Sequence, residues 1–428
     1  MVNGKHKELI DNLNHPDAEV RLFSLRKLKA AIENGELARP EGGSDVNNHI
    51  HTTYSFSPYS PTKAVWMAYN AGLTTAGIMD HDSISGAEEF IEAGRIIGMA
   101  TTIGVECRAD FSGTPLNGKR INNPDQDSVV YMTLHGIPHT RIDEVKRFFA
   151  PYSNERNKRN AAMIGRINGI MRPFSISIDF ERDIKPLSMW QEGGSITERH
   201  ILFGLSMKII EKFGKGKAVA DFLKDSLNIS LNVKIEGYLS DISNPYYEYD
   251  LLGALKSDMV EMFYIDAAAE CPDVRKVIGL AEEIGAISAY AYLGDVGNSV
   301  TGDKKTQKFE DDYLELLFEV IKELGFNAVT YMPSRNTIEQ LERVKALCER
   351  HGLFQISGED INSPRQSFVC PALRNEEFEN LIDSTWALIG HEKAATLDAR
   401  KGMFSREAIA KYPDLNERIK VFMKIGKD

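Results

Sequence analysis

The sequence predicts an α/β fold in which helices cover a sheet of short β-strands, either as a barrel or as a doubly wound sheet. The first observation is a series of seven β-type runs, which lie at residues 46–52, 74–82, 100–111, 128–136, 285–294, 326–333 and 353–360. The second is that helical runs separate most of them, at residues 61–72, 83–98, 273–285, 309–325 and 336–352. Such alternation is typical of parallel βα units. We therefore expect functional residues at the carboxyl ends of the strands.

A helical extension precedes the first strand. Residues 5–34 carry apolar residues at helical spacing, with Asp17 as a candidate N-cap and Gly35 as a stop signal. The following segment, ELARPEGGSD at 36–45, is rich in Pro and Gly and is typical of a linker. We assign residues 1–45 to an N-terminal helical extension and linker that docks on the main domain.

The strand–helix alternation is interrupted after the fourth strand. The chain there is helical and more polar, with segments such as NERNKRNAAMIGRINGIM and TERHILFGLSMKIIEKFG. We interpret residues 141–272 as a helical insertion over the mouth of the main domain. The main domain then comprises residues 46–140 and 273–392, and residues 393–428 form a C-terminal helical tail.

Composition excludes several classes of protein. The 428 residues are 42% hydrophobic and 26% charged, which is ordinary for a globular chain. The formal net charge is −11, whereas a nucleic-acid binder usually carries a basic surface, so nucleic acid is an unexpected partner. The four cysteines form no CxxC pair, which argues against a cysteine zinc site. Without an apolar leader or an apolar run of membrane-spanning length, we expect a cytoplasmic protein that does not enter a membrane.

Ionisable residues collect where the predicted strands end. The first strand ends in His49-Ile50-His51, and period-two geometry places both imidazoles on one face. Asp80-His81-Asp82 ends the second strand, Glu106 lies on the third, and Glu359-Asp360 ends the seventh. Imidazole nitrogens together with anionic oxygens are what a divalent metal ion needs. The pattern predicts a metal site, and its mixed ligands suit Zn, Mn or Fe equally.

The same residues carry a resemblance to a known family. HIHTTYSFS, GIMDHDSISG and IGVE are similar to the HxH, TDHD and GVE motifs of the PHP family, named for polymerase and histidinol phosphatase domains. ISGEDIN stands where that family has GSDxH. ERNKRN (155–160) and ERHILF (198–203) resemble the Arg-rich helix and the RPHIA-like segment of its phosphoesterase branch. The resemblance covers residues 46–370.

The resemblance implies a distorted seven-stranded (β/α) barrel of PHP type that hydrolyses phosphoesters with up to three divalent ions. It implies a first metal site at His49, His51, Glu106 and Asp360, with Glu106 bridging to a second ion and His81 serving a neighbouring one. His200 would face the scissile phosphate, and either His200 or Asp82 would protonate the leaving group.

The family's metal ligands are replaced at four positions, by Ser57, Tyr131, Tyr292 and Asn362. The sequence therefore leaves the number of bound ions open, between one and three per chain. A phenol beside a cation can bind it or donate a proton, which makes Tyr292 a candidate catalytic residue, but it can equally be a packing residue. His135 or His139 are the histidines that could replace Tyr131 in space.

A local excess of positive charge predicts an anion site. Residues 141–172 carry eight basic and three acidic residues, a balance of +5 in a protein of −11. Arg forks match phosphate or carboxylate oxygens. The candidate substrate-binding residues are Arg156, Arg159 and Asn160 on one helical face, Arg199 in ERHILF, and Arg335 at the end of the sixth strand. Lys304 and Lys305, in a Gly-rich loop, are weaker candidates.

Together these features predict a metal-dependent hydrolase, of the phosphoesterase kind, whose partner is a small anionic and phosphorylated metabolite or nucleotide. Two alternatives remain open. One is a one-metal hydrolase or lyase that acts on a sugar or carboxylate substrate without phosphate. The other is a catalytically idle barrel that binds a ligand. The oligomeric state does not follow from the sequence.

Overall fold

Seven strands form one sheet in which neighbours in space are neighbours in the chain. A computed structural model describes residues 4–296 and 308–428 and contains all seven predicted strands. They are β1 (Val46–Ile50), β2 (Thr75–His81), β3 (Ala100–Asp110), β4 (Val129–His135), β5 (Ile287–Ala291), β6 (Ala328–Tyr331) and β7 (Phe354–Ser357). The α/β class predicted from the alternation is confirmed.

The expectation of parallel βα units is not met at one strand. β4 runs antiparallel to both β3 and β5, whereas the other neighbouring pairs are parallel. The described residues 111–128, which join β3 to β4, contain no helix. A parallel pair needs a long crossover connection, usually helical, so this short irregular link returns the chain antiparallel.

The sheet curls until its two edges approach each other. An isolated parallel bridge links Ile50 at the end of β1 to Ile361 beyond β7. There, the backbone N–H of His51 donates to the Ile361 carbonyl at 2.9 Å, and the N–H of Ile361 donates to the His49 carbonyl at 3.1 Å. The curl therefore places Asp360 beside the two histidines of β1.

The predicted N-terminal helices are present and pack on the sheet's first helices. These elements are α1 (Gly4–Asp11), α2 (Ala18–Glu33), α3 (Pro61–Asn70) and α4 (Ala87–Ile97). Asp17 caps α2, accepting from the N–H of Glu19 at 2.8 Å. A buried ion pair joins α2 to α4, since the Arg21 guanidinium contacts both oxygens of Glu89 at 2.8 and 2.5 Å. The extension is therefore part of the folded body.

The insertion between β4 and β5 has an apolar core of its own. Its helices are α5 (Ile142–Met171), α6 (Glu198–Phe213), α7 (Lys217–Asp221), α8 (Val233–Ser240) and α9 (Tyr247–Phe263). Fully buried residues from several of them, such as Ile167, Leu205 and Leu251, share one cluster. None of the described helices, in this insertion or elsewhere, has the length and apolar composition to cross a bilayer.

The last helix of the main domain runs past the boundary expected at residue 392. After α10 (Val274–Ile284), α11 (Leu314–Leu324) and α12 (Ile338–His351), the chain forms α13 (Glu379–Leu397), α14 (Arg406–Lys411) and α15 (Leu415–Lys427). Helix α13 covers the inner face of the curled sheet, where the Thr102 hydroxyl donates to Glu392 at 2.6 Å. Because α13 also packs on Ile287 and Ala289 of β5, it belongs to the core rather than to a tail.

Helices α13 and α15 approach through two glycines. A Cβ at Gly390 would lie 1.9 Å from the Phe422 carbonyl oxygen, and one at Gly426 would lie 1.9 Å from the Trp386 carbonyl oxygen. We expect Gly390→Ala to lower the free energy of unfolding by about 1–3 kcal/mol, because the helices must separate. Urea unfolding followed by circular dichroism measures it.

Gly279→Ala is the matched control for this prediction. Gly279 lies inside α10, where an added Cβ would meet nothing within 4 Å. The substitution there should stabilise the protein by about 0.5–1 kcal/mol, because alanine forms helix better than glycine. Equal stability of Gly390→Ala and the wild type would contradict the close helix contact.

Candidate metal centre and adjoining pocket

Three imidazoles surround the carboxylate of Glu106. Its Oε2 lies 3.4 Å from His49 Nε2, 3.6 Å from His51 Nε2 and 3.1 Å from His81 Nδ1. His81 and Glu106 are register partners in the β2–β3 pair, which explains their proximity. His49 Nε2 and His51 Nε2 are 3.2 Å apart. The strand ends thus bring together the residues that the motifs suggested.

Asp360 joins this cluster from the far edge of the sheet. Its Oδ1 lies 3.1 Å from His51 Nε2. The side chain of Asn362 donates to the same oxygen at 2.7 Å, and that of Gln366 donates to the Asp360 carbonyl at 2.7 Å. Asn362, at the position where the resemblance led us to expect a histidine, therefore orients the carboxylate of Asp360.

A second layer of hydrogen bonds orients His51. The Ser55 hydroxyl donates to Asp80 at 2.6 Å, so its oxygen is left to accept from His51 Nδ1 at 3.2 Å. Asp80 also accepts from the backbone N–H of Thr52 at 2.7 Å and from its hydroxyl at 2.6 Å. A proton held on Nδ1 leaves the Nε2 lone pair of His51 directed at the cluster, as in metal-binding histidines.

The charges of the cluster already suit a cation. Burial raises the pKa of Glu106, but the neighbouring His81 and His49 outweigh this and lower it to about 2. Burial lowers the pKa of His49, but the Glu106 carboxylate more than offsets it, so the pKa is raised. Burial lowers the pKa of His81 to about 3. At neutral pH the cluster therefore offers an ionised carboxylate and a neutral His81.

These donors fit a divalent metal ion. One ligand atom from each of His49, His51 and Glu106 lies within 4.8 Å of the other two, and all three residues are buried. Two imidazole nitrogens that face each other with one carboxylate oxygen beside them can share a bound cation. Imidazole and carboxylate together are ligands of Zn, Mn and Fe.

A pocket of about 70 Å³ adjoins the cluster on the His81 side. Positive side chains reach it from three helices, namely Arg156 of α5, Arg199 of α6 and Lys256 of α9. Tyr131 of β4 forms another wall, with its ring 6.0 Å from that of His81. Asp125 and Glu198 supply negative charge at the same pocket. An anionic group beside the metal centre would meet the three cations.

Arg156 lines the pocket while it pairs with Asp82. Its Nη2 lies 2.5 Å from Asp82 Oδ2, and both side chains are buried. Burial raises the pKa of Asp82, and the charge of Arg156 partly offsets this. Asp82 also has φ of 50°, an unusual conformation for a residue other than glycine. The two predicted residues thus form one buried unit at the pocket wall.

Arg159 and Asn160 do not line this pocket. Both side chains are buried and bind residues of the insertion instead. Arg159 donates to Glu270 at 2.5 Å, contacts Glu198, and donates to the Ile265 carbonyl at 2.8 Å. Asn160 donates to the Ile196 carbonyl at 2.9 Å. Their shared helical face is correct, but that face packs on the protein itself.

His200 lies behind the pocket rather than in its lining. Its Nδ1 accepts from the backbone N–H of Thr197 at 3.0 Å, as part of a capping box at the start of α6. The ring packs edge-on against Phe56, and burial lowers the pKa of His200 to about 3. The adjacent Arg199 does line the pocket, and its charge helps to lower the pKa of Asp360 against the effect of burial.

The structure does not bring Tyr292 to the metal centre. Ile287 and Ala289 of β5 pack against α13 on the inner face, whereas Tyr290 and Tyr292 belong to the core cluster on the other face. The Tyr292 hydroxyl donates to Asp311 at 2.6 Å. Arg335 is also engaged elsewhere, since its Nε donates to the Leu293 carbonyl at 3.1 Å.

Of the two histidines that could replace Tyr131, His139 has a carboxylate partner, whereas His135 is buried without one among the described residues. His139 Nε2 contacts Glu392 at 2.8 Å and is thereby held by α13. His135 is buried on the inner face of β4, and its Nε2 has no hydrogen-bond partner within the described parts of the chain. Burial lowers the pKa of His135 to about 3, with a further contribution from His49. Lys304 and Lys305 lie outside the described residues.

Sequence reasoning missed Lys256 and Tyr264 at the pocket. Both belong to the end of the insertion, in α9 and just after it. Neither stands at a strand end or in a recognisable motif, so no sequence signal marked them. Tyr264 comes close to Arg108 and Glu198, and Lys256 to Asp125, only in the folded chain.

Comparison with known proteins supports the fold. No family model matches the chain. A 65-residue segment is 35% identical to a protein of Haemophilus influenzae described as a 5'-3' exoribonuclease, a match that spans 15% of this chain and 24% of that protein. A solved structure described as a metal-dependent phosphoesterase, from Bifidobacterium adolescentis, aligns with a TM-score of 0.50 and 19% identity. It covers 80% of this chain and 96% of its own, so the two share a fold.

A second solved structure is an amidohydrolase from Chromobacterium violaceum with bound sulfate and no metal. It aligns with a TM-score of 0.48 and 15% identity over 79% of this chain and 96% of its own. At this distance the likeness adds nothing to the assignment of the site.

Proposed function

We propose that the protein is a metal-dependent hydrolase of phosphoesters that acts on a small phosphorylated metabolite or nucleotide. One observation carries the proposal: the His49–His51–Glu106 cluster adjoins a pocket that presents Arg156, Arg199 and Lys256. A metal ion and several cations side by side suit a phosphoryl group, whose oxygens are anionic. The resemblance of the motifs to the PHP family supports the same reaction.

Different residues of the protein would hold the metal ion and orient the substrate. His49, His51, Glu106 and Asp360 would hold a divalent ion, with His81 at the edge that faces the pocket. When bound, such an ion polarises a phosphoryl oxygen and activates water near neutral pH. Arg199 and Lys256 would orient the phosphoryl group. Burial raises the pKa of Tyr131, so its hydroxyl stays protonated and can donate a hydrogen bond into the pocket.

The test is metal binding together with a substrate panel. Protein stripped with chelator is reloaded with Zn²⁺, Mn²⁺ or Fe²⁺ and assayed on sugar phosphates, nucleotides, short oligoribonucleotides, carboxylic esters and amides. We expect turnover of phosphoesters that depends on the ion and is absent in His51→Ala. His351→Ala, at the distant end of α12, is the control and should behave as the wild type.

Turnover confined to esters or amides would favour the one-metal chemistry on substrates without phosphate. Failure of all three ions to bind would refute the proposed function and favour a ligand-binding barrel.

Ser55→Ala tests the second layer of the centre. Without the hydroxyl, His51 Nδ1 and Asp80 lose the group that joins them, and the tautomer of His51 is no longer fixed. We expect the affinity for Zn²⁺ to fall about 10- to 100-fold, the range observed for such outer-shell partners. Isothermal titration measures it, with Ser257→Ala on the outer part of α9 as control. Unchanged affinity would show that Ser55 does not orient the ligand.

A further inference from the structure

Arg365 ties the segment after β7 to the insertion. Its guanidinium binds Asp250 of α9 with two hydrogen bonds, from Nε at 2.6 Å and from Nη2 at 2.7 Å. The same Nη2 donates to Asn244 at 3.1 Å. The guanidinium carbon lies 3.7 Å from the centre of the Tyr238 ring. A buried carboxylate, a side-chain amide and an aromatic face thus hold one arginine from three directions.

The loop held by Arg365 is the one that presents Asp360. Gln366, the next residue, donates to the Asp360 carbonyl at 2.7 Å. Its side-chain oxygen accepts from the backbone N–H of Asn362 at 2.7 Å and of Ser363 at 2.8 Å. Asn362 in turn donates to the Asp360 carboxylate at 2.7 Å. A series of short hydrogen bonds therefore runs from Gln366, the neighbour of Arg365 in the chain, to the carboxylate that contacts His51.

Helix α9 also supplies part of the substrate pocket. Asp250 lies in its first turn, and Lys256 lies less than two turns further along the same helix and lines the pocket. Because a helix is a rigid element, the position of Asp250 fixes that of Lys256. Arg365 therefore connects the edge of the metal centre to a wall of the pocket.

We propose that Arg365 is a positioning residue that couples docking of the insertion to metal binding by holding the Asp360 loop against α9. The inference rests on the metal centre of the proposed function. Since coupling between two events is reciprocal, an ion bound at Asp360 must also steady α9, and a loosened α9 must weaken binding of the ion. A surface ion pair with only a structural role would produce neither effect.

The experiment measures binding of Mn²⁺ alone to full-length protein, by isothermal titration and by the electron paramagnetic resonance signal of free Mn²⁺. Arg365→Met should bind Mn²⁺ about tenfold or more weakly than the wild type, as expected for a partner outside the ligand shell. Hydrogen exchange gives a second readout. Mn²⁺ should slow amide exchange in α9 of the wild type, and this protection should be lost in Arg365→Met.

Arg374→Met is the matched control. Arg374 follows in the same segment and binds Asp45, which is also buried, with two hydrogen bonds at 3.1 and 2.7 Å. This variant should keep both the affinity and the α9 protection. Equal binding by the wild type and Arg365→Met would overturn the inference, and so would an equal loss in Arg374→Met, because the effect would then be general.

Arg365→Lys keeps the inference testable if Arg365→Met does not fold. Lysine keeps the charge but loses the two-pronged hydrogen bond and the stacking on Tyr238. It should bind Mn²⁺ with an affinity between those of the wild type and Arg365→Met, and wild-type affinity in a folded Arg365→Lys would count against the coupling. Absence of Mn²⁺ binding by the wild type would instead refute the proposed metal centre itself.

Discussion

The variant Glu106→Gln is expected to lose the metal ion and, with it, hydrolysis. Glu106 is the carboxylate that all three imidazoles contact, and it is ionised well below neutral pH because those imidazoles lower its pKa to about 2. Glutamine keeps the shape but removes the charge that offsets a divalent cation. Mutation of a residue that only hydrogen-bonds a metal ligand usually lowers metal affinity by about 10- to 100-fold. Loss of the ligand itself should therefore lower the affinity for Zn²⁺ by at least about 100-fold.

Elemental analysis of protein purified without chelator measures the retained metal, and isothermal titration of the stripped protein measures the affinity. Glu144→Gln is the control, because the Glu144 carboxylate accepts from Arg141, three residues earlier, at 2.8 Å and is not one of the residues of the cluster. It should retain metal like the wild type. Circular dichroism of the stripped proteins checks that both variants fold. A Glu106→Gln protein that holds as much metal as the wild type would place the ion elsewhere.

The strands were predictable, but the direction of one of them was not. All seven lie within the runs indicated by the sequence, because short apolar runs bounded by turn residues mark strands well. A hydrophobic pattern carries no sign of chain direction, so β4 was expected to be parallel. Its antiparallel direction agrees with the helix-free link before it, a feature that the sequence already shows but that does not by itself fix the direction of the strand.

The residues of the candidate metal centre were predictable for a related reason. His49, His51 and His81 stand at the ends of β1 and β2, and the parallel register of β2 and β3 places Glu106 beside His81. Asp360 depended on the curl that joins the two edges of the sheet, yet its place after the seventh strand still marked it.

The residues that line the candidate pocket were harder to predict, because helix periodicity says which residues share a face but not what that face contacts. Arg159 and Asn160 do share a face, which packs on Glu270 and the Ile196 carbonyl. The position of Tyr292 could not be predicted because the sequence does not show which face of β5 is the inner one. Period two gives β5 two faces, and only the packing of α13 decides which of them is the inner one.

The buried charges between the insertion and the sheet lead to the second large effect. Arg108 of β3 lies two residues beyond Glu106, and its Nη2 donates to Glu270 at 2.9 Å. Arg159 of α5 donates to the same Glu270 oxygen at 2.5 Å. Both guanidinium groups are buried, so Glu270→Ala would leave two buried cations with Glu198 as the carboxylate they share. We expect a loss of about 3–5 kcal/mol in the free energy of unfolding, as for other broken buried pairs.

Urea unfolding followed by circular dichroism measures this loss, and Glu315→Ala supplies the contrast. Glu315 pairs with Arg350 at 2.5 Å, but both side chains are more than half exposed, so its removal should cost at most about 1 kcal/mol. A Glu270→Ala protein within 1 kcal/mol of the wild type would contradict the network. If Arg159→Met in the Glu270→Ala background restores part of the loss, the cost lies in the unpaired cation rather than in lost packing. The network would then hold the insertion in place although burial of its charges lowers the stability of the fold. Because Glu198 belongs to both the network and the pocket lining, a ligand in the pocket would also change the energy of the network.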